Sequence, residues 1–112
     1  MMIQHTVVFR LKSGADADDF LTRARGLAEI AGVNDFEVLR QVGQKNAFTH
    51  GLSMYFDDQS AYDRYNNHPD HLAFVNEMWL PNVADFLELD YVRDEPARSS
   101  NPSTAAAAPA PQ

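Results

Sequence analysis

The sequence predicts an α+β protein of order β-α-β-β-α-β, and three observations carry that expectation. Apolar residues alternate with polar ones at residues 3–11 and 49–56, stripes at helical spacing run through 16–30 and 71–79, and a turn-rich segment joins the second strand directly to the third.

The elements follow in order. In the first strand, 3–11 (IQHTVVFRL), Ile3, His5, Val7, Phe9 and Leu11 point one way and Gln4, Thr6, Val8 and Arg10 the other. Residues 16–30 form an amphipathic helix with Phe20, Leu21, Ala24, Leu27 and Ala28 on its stripe. Asp16, Asp18 and Asp19 suit its positive N-terminal end, and it finishes near Gly32. Residues 33–42 (VNDFEVLRQV) read as a second strand, and GQKNA makes a short hairpin connection. The third strand, 49–56, sets His50, Leu52, Met54 and Phe56 on one face. DDQS offers N-caps for a short helix carrying Ala61, Tyr62 and Tyr65, which Pro69 interrupts by removing a backbone donor. A new helix starts there, with Asp70 capping or favouring its N-terminus. Its stripe runs from His71 through Phe74, Val75, Met78 and Trp79, until Pro81 stops it and 84–92 (ADFLELDYV) supplies the last strand. This split βαβ pattern is ferredoxin-like: a four-stranded antiparallel sheet with helices on one face.

The other face carries Val8, Leu39 and Tyr55, too apolar for a solvated sheet, so a second copy packed sheet against sheet is expected, giving a homodimer. Residues 1–92 form the domain. Residues 93–112, rich in Pro, Ala and Ser with no large apolar residue after Val92, read as a disordered tail.

Composition removes whole classes of function. A formal charge of −7, from 9 Lys+Arg against 16 Asp+Glu, repels polyphosphate and anionic lipid, so neither nucleic acid nor membrane is an expected partner. With no cysteine, thiolate catalysis and iron–sulfur clusters are excluded, and a reducing, cytoplasmic location fits best. The apolar run at the start is too short for a signal peptide or a membrane span.

Chemistry concentrates in the histidines. His5, His50 and His71 occupy positions that periodicity assigns to the interior, and Tyr65 shares a helical face with Ala61 and Tyr62. A single apolar-face histidine is usually a satisfied core group. Three of them in a small core leave many ring nitrogens needing partners, at roughly 1–3 kcal/mol for each one unpaired, and a partly hydrated pocket relieves that penalty. They are expected to line one cavity with Tyr65, with apolar walls from Phe9, Leu52, Met54, Phe74 and Met78. The direction of His68 is not fixed by spacing, so it is either plain punctuation beside Pro69 or a further pocket residue. His71, near a positive helix end, should have its protonated form disfavoured, which suits a general base. No clear carboxylate lies on the histidine stripes, so neither metal nor cofactor is expected.

HTVVFRLKSG, FTHGLSMYFDD, YNNHPDHLAFV and FLELDYV together resemble the stress-responsive dimeric α+β barrel family, Dabb, over residues 2–92. The Tyr-x-x-His-Pro-x-His-x-x-Phe element is its most specific part. The resemblance implies a barrel formed across a dimer. It also implies a similarity to a plant cyclase of the family that closes a linear poly-β-ketone by intramolecular aldol condensation without metal or organic cofactor. By motif, the cyclase's catalytic tyrosine and histidine fall on Tyr65 and His71, and two further pocket histidines on His5 and His50. Asn66, Asn67 and Asp70 depart from the apolar or small residues found there. The expected activity is a cofactor-independent cyclase or isomerase acting by acid–base chemistry on a small polyketide-like β-keto substrate. The alternative is a non-catalytic stress-responsive protein that binds a small hydrophobic ligand.

Overall fold

A computed structural model describes residues 1–94; the expected tail, beyond Asp94, lies outside the described residues. Strand β1 (Ile3–Leu11) sits inside a four-stranded antiparallel sheet of order β2-β3-β1-β4, with β2 at Asn34–Arg40, β3 at His50–Phe56 and β4 at Val83–Tyr91. Antiparallel partners project to the same face, so β1 fixes what meets what. His5 lies between Met54 and Asp90, Val7 between Leu52 and Glu88, and Phe9 between His50 and Phe86.

Helix α1 (Ala17–Arg25) begins at Asp16, whose carboxylate accepts the Asp19 N–H, and tightens into a 3₁₀ turn over Gly26–Glu29. Gly32, at φ 93°, turns the chain into β2 in a conformation that glycine adopts without strain. Phe20, Ala24 and Leu27 from this segment join Phe9, Leu52, Met54 and Phe56 in the core, each large side chain contributing roughly 1.5–3 kcal/mol by leaving water. Strand β2 ends at Arg40, earlier than expected, because Gln41 closes the connection. Its N–H bonds Thr49 O at 2.8 Å, and its side chain bonds Asn46 and the Phe48 carbonyl.

Helix α2 (Gln59–Asn67) is capped by Asp58, which accepts the Ala61 N–H at 2.8 Å. Pro69 opens helix α3 (Pro69–Phe74), where its missing donor is harmless. The cap comes from His68, whose Nδ1 accepts the Asp70 N–H at 3.0 Å, and Asp70 lies in the first turn, where its charge favours the helix start.

One continuous helix was expected from there to Pro81. Instead the chain widens into a π turn over Val75–Trp79, with the Leu80 N–H bonding Val75 O, before a last turn, α4 (Leu80–Asn82). The cause is Pro81, which has no N–H for the carbonyl four residues back and whose ring crowds it. Asn82 Nδ2 donates to the Met78 carbonyl at 2.8 Å and closes this last turn.

The helices cover the face that bears His5, Val7 and Phe9. On the other face Val8 and Tyr55 are half-buried, while Leu39, Leu87 and Tyr91 are exposed. Among the described residues no helix is long and apolar enough to cross a membrane.

Candidate functional site

Between the sheet and the α2–α3 segment lies a cavity of about 260 Å³. Its floor is Val7 of β1 with Leu52 and Met54 of β3; Leu27, Phe74 and Val75 close its sides. Trp79, Leu80 and Phe86 form the mouth, where Leu80 is 62% and Phe86 46% exposed. The polar end holds His5, Tyr65, Asn66, His71 and Glu88.

His71 owes its orientation to the break at Pro69. In an unbroken helix the Asn66 carbonyl would accept the Asp70 N–H. That N–H goes to His68, so the Asn66 carbonyl is released, and it accepts His71 Nδ1–H at 3.1 Å. A carbonyl can only accept, so the proton sits on Nδ1 and the lone pair on Nε2. The His71 pKa is lowered, chiefly by burial, with smaller contributions from His5 and His68 opposed by the Asn66 bond and Glu88. The direction is the one expected at a helix start, but desolvation is its main cause. The imidazole is therefore neutral near pH 7.

Tyr65 is 2% exposed and packs its ring 4.5 Å from that of His71. Its pKa is raised, first by burial and then by the Glu88 charge, so the hydroxyl keeps its proton. No buried polar side-chain atom lacks a hydrogen-bond partner among the described residues, and the Tyr65 hydroxyl makes no such bond, so it reaches open space. The cavity is that space.

His5 is held by a cluster the sequence did not disclose. Asp90 Oδ1 lies 2.6 Å from His5 Nδ1, and the Tyr62 hydroxyl donates to both Asp90 oxygens at 2.8 and 2.9 Å while standing 2.8 Å from Nδ1. A carboxylate only accepts, so His5, like His71, carries a proton on Nδ1. Burial, followed by the Asp90 bond and charge, raises the Tyr62 pKa and keeps it protonated.

Of the residues expected to gather, His5, Tyr65, His71, Leu52, Met54 and Phe74 line the cavity. Four do not. His50 stacks on Phe9 at 5.8 Å and contacts Thr49 Oγ1 at 2.9 Å; its pKa is lowered by burial and then by Arg40. It shares a face with His5 but not a position along the strand, since its partner Phe9 is four residues from His5, about 13 Å at 3.3 Å per residue. Phe9 is wholly buried among Phe20, Trp79 and His50, and Met78 packs in the core. His68 is the α3 cap.

The histidine-bearing stripes themselves carry no carboxylate, but Asp90 and Glu88 reach the histidines from β4, an element that bears none of them. The readable signal was the alternation of β4, which places Phe86, Glu88 and Asp90 on one side; only the pairing of β4 with β1 shows that this side faces His5. Among the described residues no group of three His, Asp or Glu side chains is placed to hold a metal ion.

A family model described as the stress responsive A/B barrel domain, Dabb, matches residues 3–93. Among solved structures, a Dabb family protein with a ferredoxin-like fold from Mesorhizobium loti is 52% identical, covering 81% of this chain and 95% of that one at a TM-score of 0.77. A hydroxynitrile lyase from Passiflora edulis is 21% identical, covering 87% and 97% at 0.76. A dimeric ferredoxin-like protein of unknown function from Thermobifida fusca is 22% identical, covering 81% and 90% at 0.70. The last two likenesses are of fold alone. No curated protein matches the chain.

Proposed function

The chain belongs to the stress responsive A/B barrel domain family, and on that premise we propose that it is a cofactor-independent acid–base catalyst of the cyclase or isomerase type. Its substrate is a small polyketide-like β-keto compound, and its working form is a homodimer. The observation that carries the reading is the pairing of a neutral His71, with its Nε2 lone pair free, beside a tyrosine hydroxyl that burial keeps protonated.

His71 Nε2 removes a proton from the carbon next to a carbonyl, and the Tyr65 O–H donates to the carbonyl oxygen as enolate charge develops there. In a folded poly-ketone the enolate carbon then attacks a second carbonyl. A carbon–carbon bond forms, and the proton held by His71 returns to the new alkoxide. The apolar walls contribute by holding the two carbons together, an effect that supplies up to several kcal/mol. His5 stands near Tyr65 as a second imidazole, their ring centroids 6.5 Å apart. A similarity to plant olivetolic acid cyclase supports the roles of Tyr65 and His71 and extends to His5; His50, the fourth match, stacks on Phe9 and does not reach the cavity. The homodimer is supported by the exposed apolar face and by the dimeric description of the Thermobifida fusca protein. The lack of cysteine suits a cytoplasmic setting.

The test follows α-hydrogen exchange of phenylacetone in D₂O by NMR. The protein should accelerate exchange, and both His71→Ala and Tyr65→Phe should abolish most of the acceleration, by about 10²-fold or more. Binding of phenylacetone with no acceleration would leave a ligand-binding protein and end the catalytic reading.

A further inference from the structure

We infer that Glu88 makes the cavity a charge filter that admits uncharged ketones and turns away guests bearing a carboxylate at the reacting end. This rests on the reading of the cavity as a small-molecule site and names the class of molecule it takes.

Three observations converge. Glu88 is a wall residue, set on the cavity side of β4 opposite Val7. Its carboxylate has no hydrogen-bond or ion-pair partner among the described residues, whereas Asp90, two residues on, is engaged by His5 and Tyr62. No lysine or arginine lines the cavity, and the other polar groups there, His5, Tyr65, Asn66 and His71, offer dipoles rather than a fixed positive charge. An anionic guest would leave water, find no counter-ion and face a like charge across a space lined mainly by apolar side chains. The Glu88 charge is felt at the reacting groups themselves, since it contributes to the raised pKa of Tyr65 and opposes the lowering at His71. Free β-keto acids are therefore poor guests, and an uncharged di- or tri-ketone is a good one. Size agrees: an apolar cavity of about 150 Å³ holds benzene, so about 260 Å³ takes a ring, or a chain folded toward one, with a short substituent.

The experiment uses the full chain and a matched pair of probes, phenylacetone and phenylacetate, which have nearly the same shape and differ in charge. Trp79, the one tryptophan, stands at the cavity mouth and reports binding by fluorescence. At pH 7.5 phenylacetone should bind about tenfold or more tighter than phenylacetate, the exposure of Glu88 to solvent limiting the effect. Glu88→Gln should bring the two within about threefold, mainly by improving phenylacetate. Asp18→Asn, which removes an exposed charge far along the chain on α1, should leave the ratio unchanged. If phenylacetate binds the parent as well as phenylacetone does, or if Glu88→Gln leaves the ratio alone, the filter is refuted while the cavity reading stands. If Asp18→Asn moves the ratio as far as Glu88→Gln, net charge rather than position is responsible and the filter is likewise refuted. If neither probe perturbs Trp79 in any variant, the cavity reading falls and the filter with it.

Discussion

His68 and His71 stand three residues apart around one proline and end in opposite chemical states. His68 presents Nδ1 as an acceptor and spends it on the Asp70 N–H; His71 presents Nδ1 as a donor and spends it on the Asn66 carbonyl. The two bonds are halves of one event, since the N–H captured by His68 is the one the Asn66 carbonyl would otherwise have held. A histidine's usefulness therefore depends on which nitrogen its backbone surroundings consume, and the helix break at Pro69 makes that choice for both rings.

The contrast can be broken by substitution, from the largest expected effect down. His71→Ala removes the base and should lower phenylacetone exchange by about 10²- to 10⁴-fold with the fold retained, measured alongside circular dichroism. Asp90→Asn keeps the shape of the His5 cluster but allows the amide to donate, so His5 can place its proton on Nε2. Exchange should fall about tenfold, and the carbon shifts of the His5 ring in NMR should report the changed tautomer, a readout that loss of packing would not produce. His68→Ala removes the cap that draws the Asp70 N–H away from the Asn66 carbonyl, so it should lower stability by about 1 kcal/mol in urea unfolding and exchange by about two- to fivefold.

Acidification sharpens the same contrast. His71 and His50 have lowered pKa values in the folded protein, so below the unfolded value of 6.5 the unfolded chain binds more protons than the native one. Stability should therefore fall as pH drops through 6.5 and should be nearly flat between pH 7 and 8 as far as these two groups decide it. Urea midpoints at pH 5 and pH 7.5 measure the loss, and His71→Ala should diminish it. The acid limb of the exchange rate should lie below pH 6.5 for the same reason.

Much of the fold was legible because two periods, 2 and 3.6, are enough to give six elements in order, and Pro69 and Gly32 punctuate them. The locations of Tyr65, His5 and His71 were legible because each shares a face with core residues. Depth along a strand was not: alternation puts His50 on the right side of β3 and says nothing of Phe9 standing beside it. β4 is the more instructive case. Its greasier set, Leu87, Leu89 and Tyr91, lies across from Val8, Thr6 and Gln4 on the uncovered face, and the set with two carboxylates faces the cavity. Hydrophobicity alone would have turned this strand over, and only strand register brings Asp90 to His5. The π turn was hidden for a different reason, since its stripe fits an ordinary helix and the cause lies beyond it, in Pro81.

That π turn holds one more residue than a regular turn would, so Leu80 comes round to the side of Val75, and both lie on the cavity wall. The extra residue is absorbed within the turn, so the chain resumes its ordinary helical course at Leu80, while His71 and Tyr65 lie upstream of it. Guest shape and reactive chemistry are thus carried on separate stretches of chain, and substitutions at Trp79 or Leu80 can recut the entrance without touching the groups that move protons.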